Sequence, residues 1–181
     1  MQELSISLKL LPEFEVDVHT HQQLTKLRNT CFEDSERKRD YFKQLPHSRL
    51  LAYKDHQPIA QIGLEHRVIS ANNKILRIFG LIDVCVLPTH RGVGLASGML
   101  DHVTHLAERT SVDFLIAFAT DHRIYLKNGF LLVSNYFQWL RIHEHKNYGV
   151  GIEKIENEVM VKCIRDTQWP NGPIDLLGYL F

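Results

Sequence analysis

The stretch DVCVLPTHRGVGLASGML, residues 83–100, decides how the rest of the chain is read. A run of β-formers from Val84 to Leu87 stops at Pro88, passes through Arg91 and the closely spaced Gly92 and Gly94, and enters an apolar run with helical spacing. So much bare backbone between a strand and a helix predicts that something approaches the main chain at Gly92 and Gly94. It should be anionic, because unpaired N–H groups gather where a helix begins.

Upstream, the β-rich runs RLLAYKD (49–55), IAQIGLEHRVIS (59–70) and KILRIFGLIDVCVL (74–87) are separated by polar turns, which predicts an antiparallel meander. A strand is expected in SISLKLL (5–11), followed by helices over 18–32 and 35–45, where apolar residues recur at helical spacing. Downstream come an amphipathic helix over about 93–109, the strand FLIAF (114–118), a short helix around 123–128, a strand from Phe130 and another in EVMVKCI (158–164). Residues 135–155 are expected to form an irregular excursion or an extra strand. This order predicts one α/β (α+β) domain over residues 1–181, with a mixed, mostly antiparallel central sheet and helices on both faces.

Composition narrows the partner. Twenty-one basic and twenty-one acidic residues cancel, so the chain lacks the charge footprint of a nucleic-acid or acidic-membrane binder, and a small molecule is expected. The N-terminus carries acids where a signal peptide carries basic residues, and no apolar run approaches the roughly 18 residues of a membrane span, so a cytoplasmic location is expected. The three cysteines have no C-x-x-C spacing and read as reduced thiols. Among eleven histidines, the pairs His102 with His105 and His143 with His145 lack an evident third ligand, so no metal is expected.

Two common phosphate binders do not fit the glycine turn. A P-loop needs a Gly-Lys pair, which is absent. A dinucleotide fingerprint, counted from Gly92 and Gly94, needs glycine where Ser97 stands, and Asp113 precedes its strand instead of ending it.

The segment resembles motif A of the GNAT superfamily of N-acetyltransferases, R/Q-x-x-G-x-G/A, which Arg91, Gly92, Val93, Gly94, Leu95 and Ala96 match after the usual strand and proline. Downstream, Tyr125, Gly129 and Phe130 match the family's Y-x-x-x-G-F, and the resemblance is specific over about residues 59–134. It implies the GNAT fold, acetyl-CoA as cosubstrate, and a coenzyme A pyrophosphate cradled by the backbone of Gly92, Val93, Gly94, Leu95 and Ala96. Ser97 would add a hydroxyl and Arg91 would flank the phosphates. It further implies that the strand before motif A splays open, so that Val84, Cys85 and Val86 contact pantetheine through their backbone. Where many relatives carry an asparagine about seven residues before the tyrosine, this chain has Phe118.

Amine attack on a thioester needs a base, an oxyanion donor and an acid for the leaving thiolate. Tyr125 matches the residue that protonates the thiolate in many relatives. Asp83 is the favoured base because a carboxylate within LIDVCVL needs a partner or a cleft. Glu65 competes for the role, and His66 stays open. The C-terminal WPNGPIDLLGYLF is too apolar to dangle in water and should dock on the body. Its first half loosely resembles the ends of nodulation N-acyltransferases and aminoglycoside 2′-N-acetyltransferases, whose acceptors are amino sugars; a packed terminal strand without a substrate role is the alternative. The expected function is acetyl transfer to a primary amine of a small molecule, an amino sugar or aminoglycoside-like compound being one candidate. A non-catalytic acyl-CoA-binding sensor of the same fold is the alternative, and a homodimer is left open.

Overall fold

The computed structural model describes residues 6–32 and 38–181. Strand β1 (Ser7–Pro12) leads through a 3-10 turn to helix α1 (Val18–Cys31), which starts where Asp17 Oδ1 accepts from the Thr20 N–H at 2.7 Å. The meander follows as β2 (Ser48–Lys54), β3 (Gln57–Ala71) and β4 (Lys74–Val86). After the glycine turn come α2 (Leu95–Glu108), β5 (Phe114–Phe118), α3 (Arg123–Lys127), the long strands β6 (Leu131–His143) and β7 (Lys146–Cys163), and β8 (Ile174–Tyr179). All eight strands join one sheet in the order β1-β2-β3-β4-β5-β7-β6-β8, in which only β4–β5 and β6–β8 run parallel.

Three apolar clusters bind the helices and the tail to this sheet. One packs Met99, Leu100, Val103 and Tyr125 from α2 and α3 against Leu64, Phe79 and Leu81. A second lodges Leu24 and Leu27 of α1 against Leu51 and Cys85. The third buries Ile174, Leu176 and Phe181 of the tail against Ile78, Phe114 and Phe137. Helices thus cover both faces, as the sequence predicts.

Two expectations are corrected. In the described part of the second expected helix, residues 38–45, no helical turn forms; residues 35–37 lie outside the described residues. The cause is Arg49, 1 % exposed, which binds the Asp40 carbonyl through Nη1 at 3.0 Å and the Asp40 carboxylate through Nη2 at 3.1 Å. Pro46 also disfavours helical backbone at Leu45. Residues 135–155 form neither an irregular excursion nor a separate extra strand: they prolong β6 and β7 into one hairpin, paired from Leu131 with Val161 out to His143 with Lys146 with register shifts after Val133 and after Leu140. The long polar exposed stretch of β7 hid it from a reading based on alternation.

One side chain clamps the start of the tail. Asn135 Nδ2 donates to the carbonyls of Pro170 at 3.0 Å and Gly172 at 2.7 Å, and Asn135 Oδ1 accepts from Trp169 Nε1 at 2.8 Å. β8 then pairs with β6 and touches β3 at Ser70 and Ala71. Replacing Asn135 by Ala removes all three hydrogen bonds from half-buried groups. It is expected to cost about 2–3 kcal/mol and lower the melting temperature by about 5–10 °C, measured by denaturant and thermal unfolding. An unchanged midpoint would mean that the tail docks without this clamp.

Candidate functional site

The site begins where the parallel ladder ends. β4 and β5 pair from Ile78 with Phe114 to Leu81 with Ala117, and beyond that Ile82–Val86 has no partner in β5. On its other side β4 carries a bulge: Gln61 pairs with Cys85 and Gly63 with Ile82, so Asp83 and Val84 lie opposite Ile62 alone. Asp83 takes φ +48°, a left-handed conformation that a non-glycine residue holds at a cost. The open strand edge and the bulge together give main-chain groups that the sheet does not use.

The gap opens into a cavity of about 960 Å³, a size suited to a sizeable ligand. Its lining comes from both faces of the sheet, with Leu95, Ile124 and Tyr125 of the α2–α3 side and Arg28, Cys31 and Phe181 of the α1 and tail side. One end is the glycine turn. Gly92 and Gly94 have φ +82° and +83°, and a Cβ built on either would meet nothing within 4 Å. Gly94 caps α2 in the left-handed conformation, and the first helical bond runs from Gly98 N–H to the Gly94 carbonyl at 3.0 Å. The N–H groups of Leu95, Ala96 and Ser97 therefore have no intrahelical acceptor. His90, Arg91, Arg123 and Lys127 line the same cavity. Arg91 Nε donates to the Val86 carbonyl at 2.9 Å, fastening the turn to the strand end, and Asn128 Nδ2 donates to Ser97 Oγ at 3.1 Å from α3. Open backbone, a helix N-terminus and four basic side chains fit the pyrophosphate of a coenzyme A thioester.

The acid–base candidates divide. Tyr125 and Asp83 both line the cavity. Tyr125 is 6 % exposed, and burial, with a smaller contribution from Asp121, pushes its phenol up to about 12. It thus stays protonated through the neutral range. Asp83 Oδ1 accepts from Arg28 Nε at 3.0 Å, both side chains being buried. Burial raises the Asp83 carboxyl, and Arg28 and Arg49 only partly offset this.

Glu65 is not among the lining residues. It is 1 % exposed, accepts from the Tyr179 hydroxyl at 2.7 Å, and pairs with Arg67 at 3.2 Å and His47 at 3.3 Å. His66 is exposed, with its ring edge-on to Phe79.

Of the expected cofactor contacts, Val84, Cys85, Val86, Arg91, Gly92, Gly94, Leu95, Ala96 and Ser97 line the cavity, whereas Val93 is 74 % exposed and does not. Phe118, at the place of the family asparagine, stacks edge-on against Phe137 and Phe181 at 5.7 and 5.3 Å. Cys31, set against the Cys85 thiol and near Arg91, is pulled down to about 7, while Cys85 is pushed up.

Sequence reasoning passed over Arg28, Lys43 and Asn128, and it reached Phe181 only as part of a tail expected to dock. A signal existed for the first, an arginine in the apolar stripe Leu24, Leu27, Arg28 of α1. Lys43 and Phe181 come from segments whose placement only packing decides. Among the described residues, Glu13, His21 and Asp40 have metal-ligand chemistry and lie close together, but Arg49 spans Glu13 and Asp40 and pairs with both carboxylates.

The comparisons agree with this geometry. The model of the GNAT acetyltransferase domain matches residues 15–133, more than half of the chain. The fold is similar to that of the GNAT family N-acetyltransferase YhbS from Escherichia coli in complex with CoA, with TM-score 0.67, 14 % identity and coverage of 97 % of this chain and 91 % of that one. It is also similar to an acyl-CoA N-acyltransferase from Pseudomonas aeruginosa, with TM-score 0.58, 17 % identity and coverage of 88 % and 100 %. A GCN5-related N-acetyltransferase from Anabaena variabilis matches with TM-score 0.60 and 18 % identity over 71 % of this chain, which spans only 33 % of that protein. Curated proteins gave no match. With an open strand edge, a glycine turn opening a helix and a family model spanning both, the chain belongs to the GNAT acetyltransferase family, whose members are acyl-CoA-dependent acyltransferases.

Proposed function

We propose that the protein transfers an acetyl group from acetyl-CoA to a primary amine of a small molecule by direct attack in a ternary complex. The observation that carries this reading is that Asp83 and Tyr125 line one cavity beside the open edge of β4. The glycine turn at its end supports the placement of the cosubstrate, through the N–H groups of Leu95, Ala96 and Ser97 and the positive charge of Arg91, Arg123 and Lys127. Main-chain groups of Ile82–Val86 have no partner in β5 and hold the pantetheine arm.

In this reading the amine enters from the α1 and tail side. Asp83 takes the ammonium proton, directly or through water, and its raised affinity for protons suits a base working near neutrality. The nitrogen lone pair forms the new C–N bond at the thioester carbon. A main-chain N–H near Val84, freed from the ladder by the bulge, stabilises the developing oxyanion. As the C–S bond breaks, the thiolate takes the proton of Tyr125, and the second proton of the attacking nitrogen, shed as the amide forms, returns to the tyrosinate through water. Glu65, with both carboxylate oxygens engaged, serves the docking of the tail. The resemblance of the tail to enzymes acting on amino sugars rests on residues 169–175. Here Trp169, Pro170 and Gly172 are bound by Asn135, a structural use that lends no support to a sugar acceptor.

Gly94→Val sets a side chain in left-handed backbone and in the space left for phosphate, so coenzyme A affinity is expected to fall at least tenfold by calorimetry with the fold retained. Unchanged affinity would remove the turn from the site. Tyr125→Phe keeps the ring and its contact with Phe130, so turnover should drop about 10²-fold with melting temperature and coenzyme A affinity unaltered. Normal turnover would leave Tyr125 a packing residue.

The pH dependence follows from the sign of the Asp83 shift. Because its carboxyl binds protons more tightly than an ordinary Asp, wild-type turnover should fall on acidification at a pH above the usual Asp range. Asp83→Asn, which retains an acceptor for Arg28, should lower turnover about 10²-fold or more at neutral pH and recover partly at high pH, where the amine sheds its own proton. Thiol-release profiles of the wild type, Asp83→Asn and Glu65→Gln test this. A flat response for the first variant and a steep loss for the second would transfer the role to Glu65.

A further inference from the structure

We propose that the acceptor is a small amine that also carries a carboxylate and an apolar side chain, of the apolar α-amino acid type, and that Arg28 and Lys43 receive its carboxylate. The inference rests on the N-acetyltransferase reading above and adds the acceptor class.

On the α1 and tail side, the cavity is walled by the rings of Phe32, Phe42, Phe118 and Phe181. Two cations sit among them. Arg28 lies over the Phe32 ring at 5.3 Å and Lys43 Nζ over the Phe42 ring at 4.9 Å. Arg28 is 4 % exposed, its Nε is committed to Asp83, and its Nη1 is buried without a hydrogen-bond partner. Lys43 Nζ donates to the Leu180 carbonyl at 2.9 Å, which uses one of its three donors, and among the described residues no carboxylate pairs with it. Burial alone pushes the Lys43 ammonium down, as expected for a charge without a counter-ion.

Among the described residues the charge count is therefore unbalanced: Asp83 answers Arg28, and no carboxylate answers Lys43. A half-buried cation without an anion is costly, and a buried guanidinium N–H without an acceptor adds to the cost, so this wall is poised to accept an anion from the ligand. The coenzyme A phosphates are served by the glycine turn and by His90, Arg91, Arg123 and Lys127, which come from other elements. The remaining source is the acceptor. A carboxylate answers both cations, and the four rings accommodate an apolar side chain. A polycation such as an aminoglycoside or polyamine would instead bring further positive charge against Arg28 and Lys43.

The ring of Phe181 belongs to this wall by construction. Gly80 leaves the space it fills, since a Cβ there would stand 2.5 Å from the ring, and Arg67 stacks on its other side at 4.7 Å.

The test is thiol release from acetyl-CoA with matched acceptors: phenylalanine, phenylethylamine, which keeps the ring and amine without the carboxylate, spermidine and kanamycin. Phenylalanine is expected to exceed phenylethylamine at least tenfold in kcat/KM, with both polycations poorer still. Lys43→Met should raise the KM for phenylalanine about tenfold, the loss being confined to carboxylate-bearing acceptors, and Lys43→Arg should restore it. A merely structural role in holding Leu180 would raise the KM for both amines alike and overturn the proposal. Equal or better turnover of phenylethylamine or of the polycations would also overturn it, while leaving the N-acetyltransferase reading intact. Coenzyme A binding without thiol release for any amine would sink that reading, and the acceptor assignment with it. Because Arg28 substitutions leave Asp83 buried without its partner, the Lys43 variants carry the test, supported by calorimetric binding of N-acetylphenylalanine to the wild type.

Discussion

Four residue pairs, Ile78–Leu81 against Phe114–Ala117, are all that joins β4 to β5, and the whole site depends on that ladder stopping where it does. The pairing takes in all of β5 but Phe118, and β4 continues past Leu81 to Val86 without it, while α2 and α3 pack on one side of the sheet and α1 and the tail on the other. The separation converts a buried strand into an interior edge whose N–H and C=O groups need partners. An exposed edge invites aggregation, but an edge that faces a cavity selects an extended ligand. The bulge at Asp83 and Val84 fits this reading, since it turns main chain out of the ladder beside the gap.

Burying so many charges around one gap demands pairing, and the structure arranges it in three groups. Arg28 answers Asp83 beside the cavity. Arg49 joins Glu13, Asp40 and the side chain of Gln61, which draws residues 38–45 against the sheet and sets Phe42 and Lys43 at the cavity wall. Glu65 gathers His47, Arg67 and Tyr179, and Arg67 in turn stacks on Phe181. The value of these groups lies in specifying position more than in net stability, because burying ions returns little of its desolvation cost. The second and third present Phe42 and Lys43, and Leu180 and Phe181, to the cavity from stretches that lie in no helix or strand, and these residues thereby become walls of the site.

How legible this was varied by element. The meander, the helix after the glycine turn and the strand FLIAF follow from local pattern, because alternation, turn chemistry and helical spacing are written within ten or so neighbouring residues. The glycine turn was legible for the same reason: Arg91 to Ala96 is a local motif whose backbone demands only glycine can meet. The middle of the hairpin, residues 135–155, was not, since β7 is polar along much of its length and is held there by pairing with β6 instead of by burial. The false helix at 35–45 had helical spacing, which Arg49 overrode from a distance by claiming both polar groups of Asp40.

Sequence alone determined the family-specific parts of this protein: the strand that meets a glycine turn, the helix N-terminus behind it, and Tyr125 at a fixed distance downstream. Each is a feature of contiguous backbone, and contiguous backbone obeys local sterics and hydrogen bonding. Tertiary structure alone decided the division between the two candidate carboxylates. Asp83 and Glu65 are equally plausible in a string of letters, and they differ because the bulge turns one toward Arg28 at the cavity while the docked tail covers the other. It also decided the acceptor wall, which brings together Arg28, Lys43 and Phe181 from three separate segments. Their meeting depends on long-range burial of charge and ring, which no local pattern encodes.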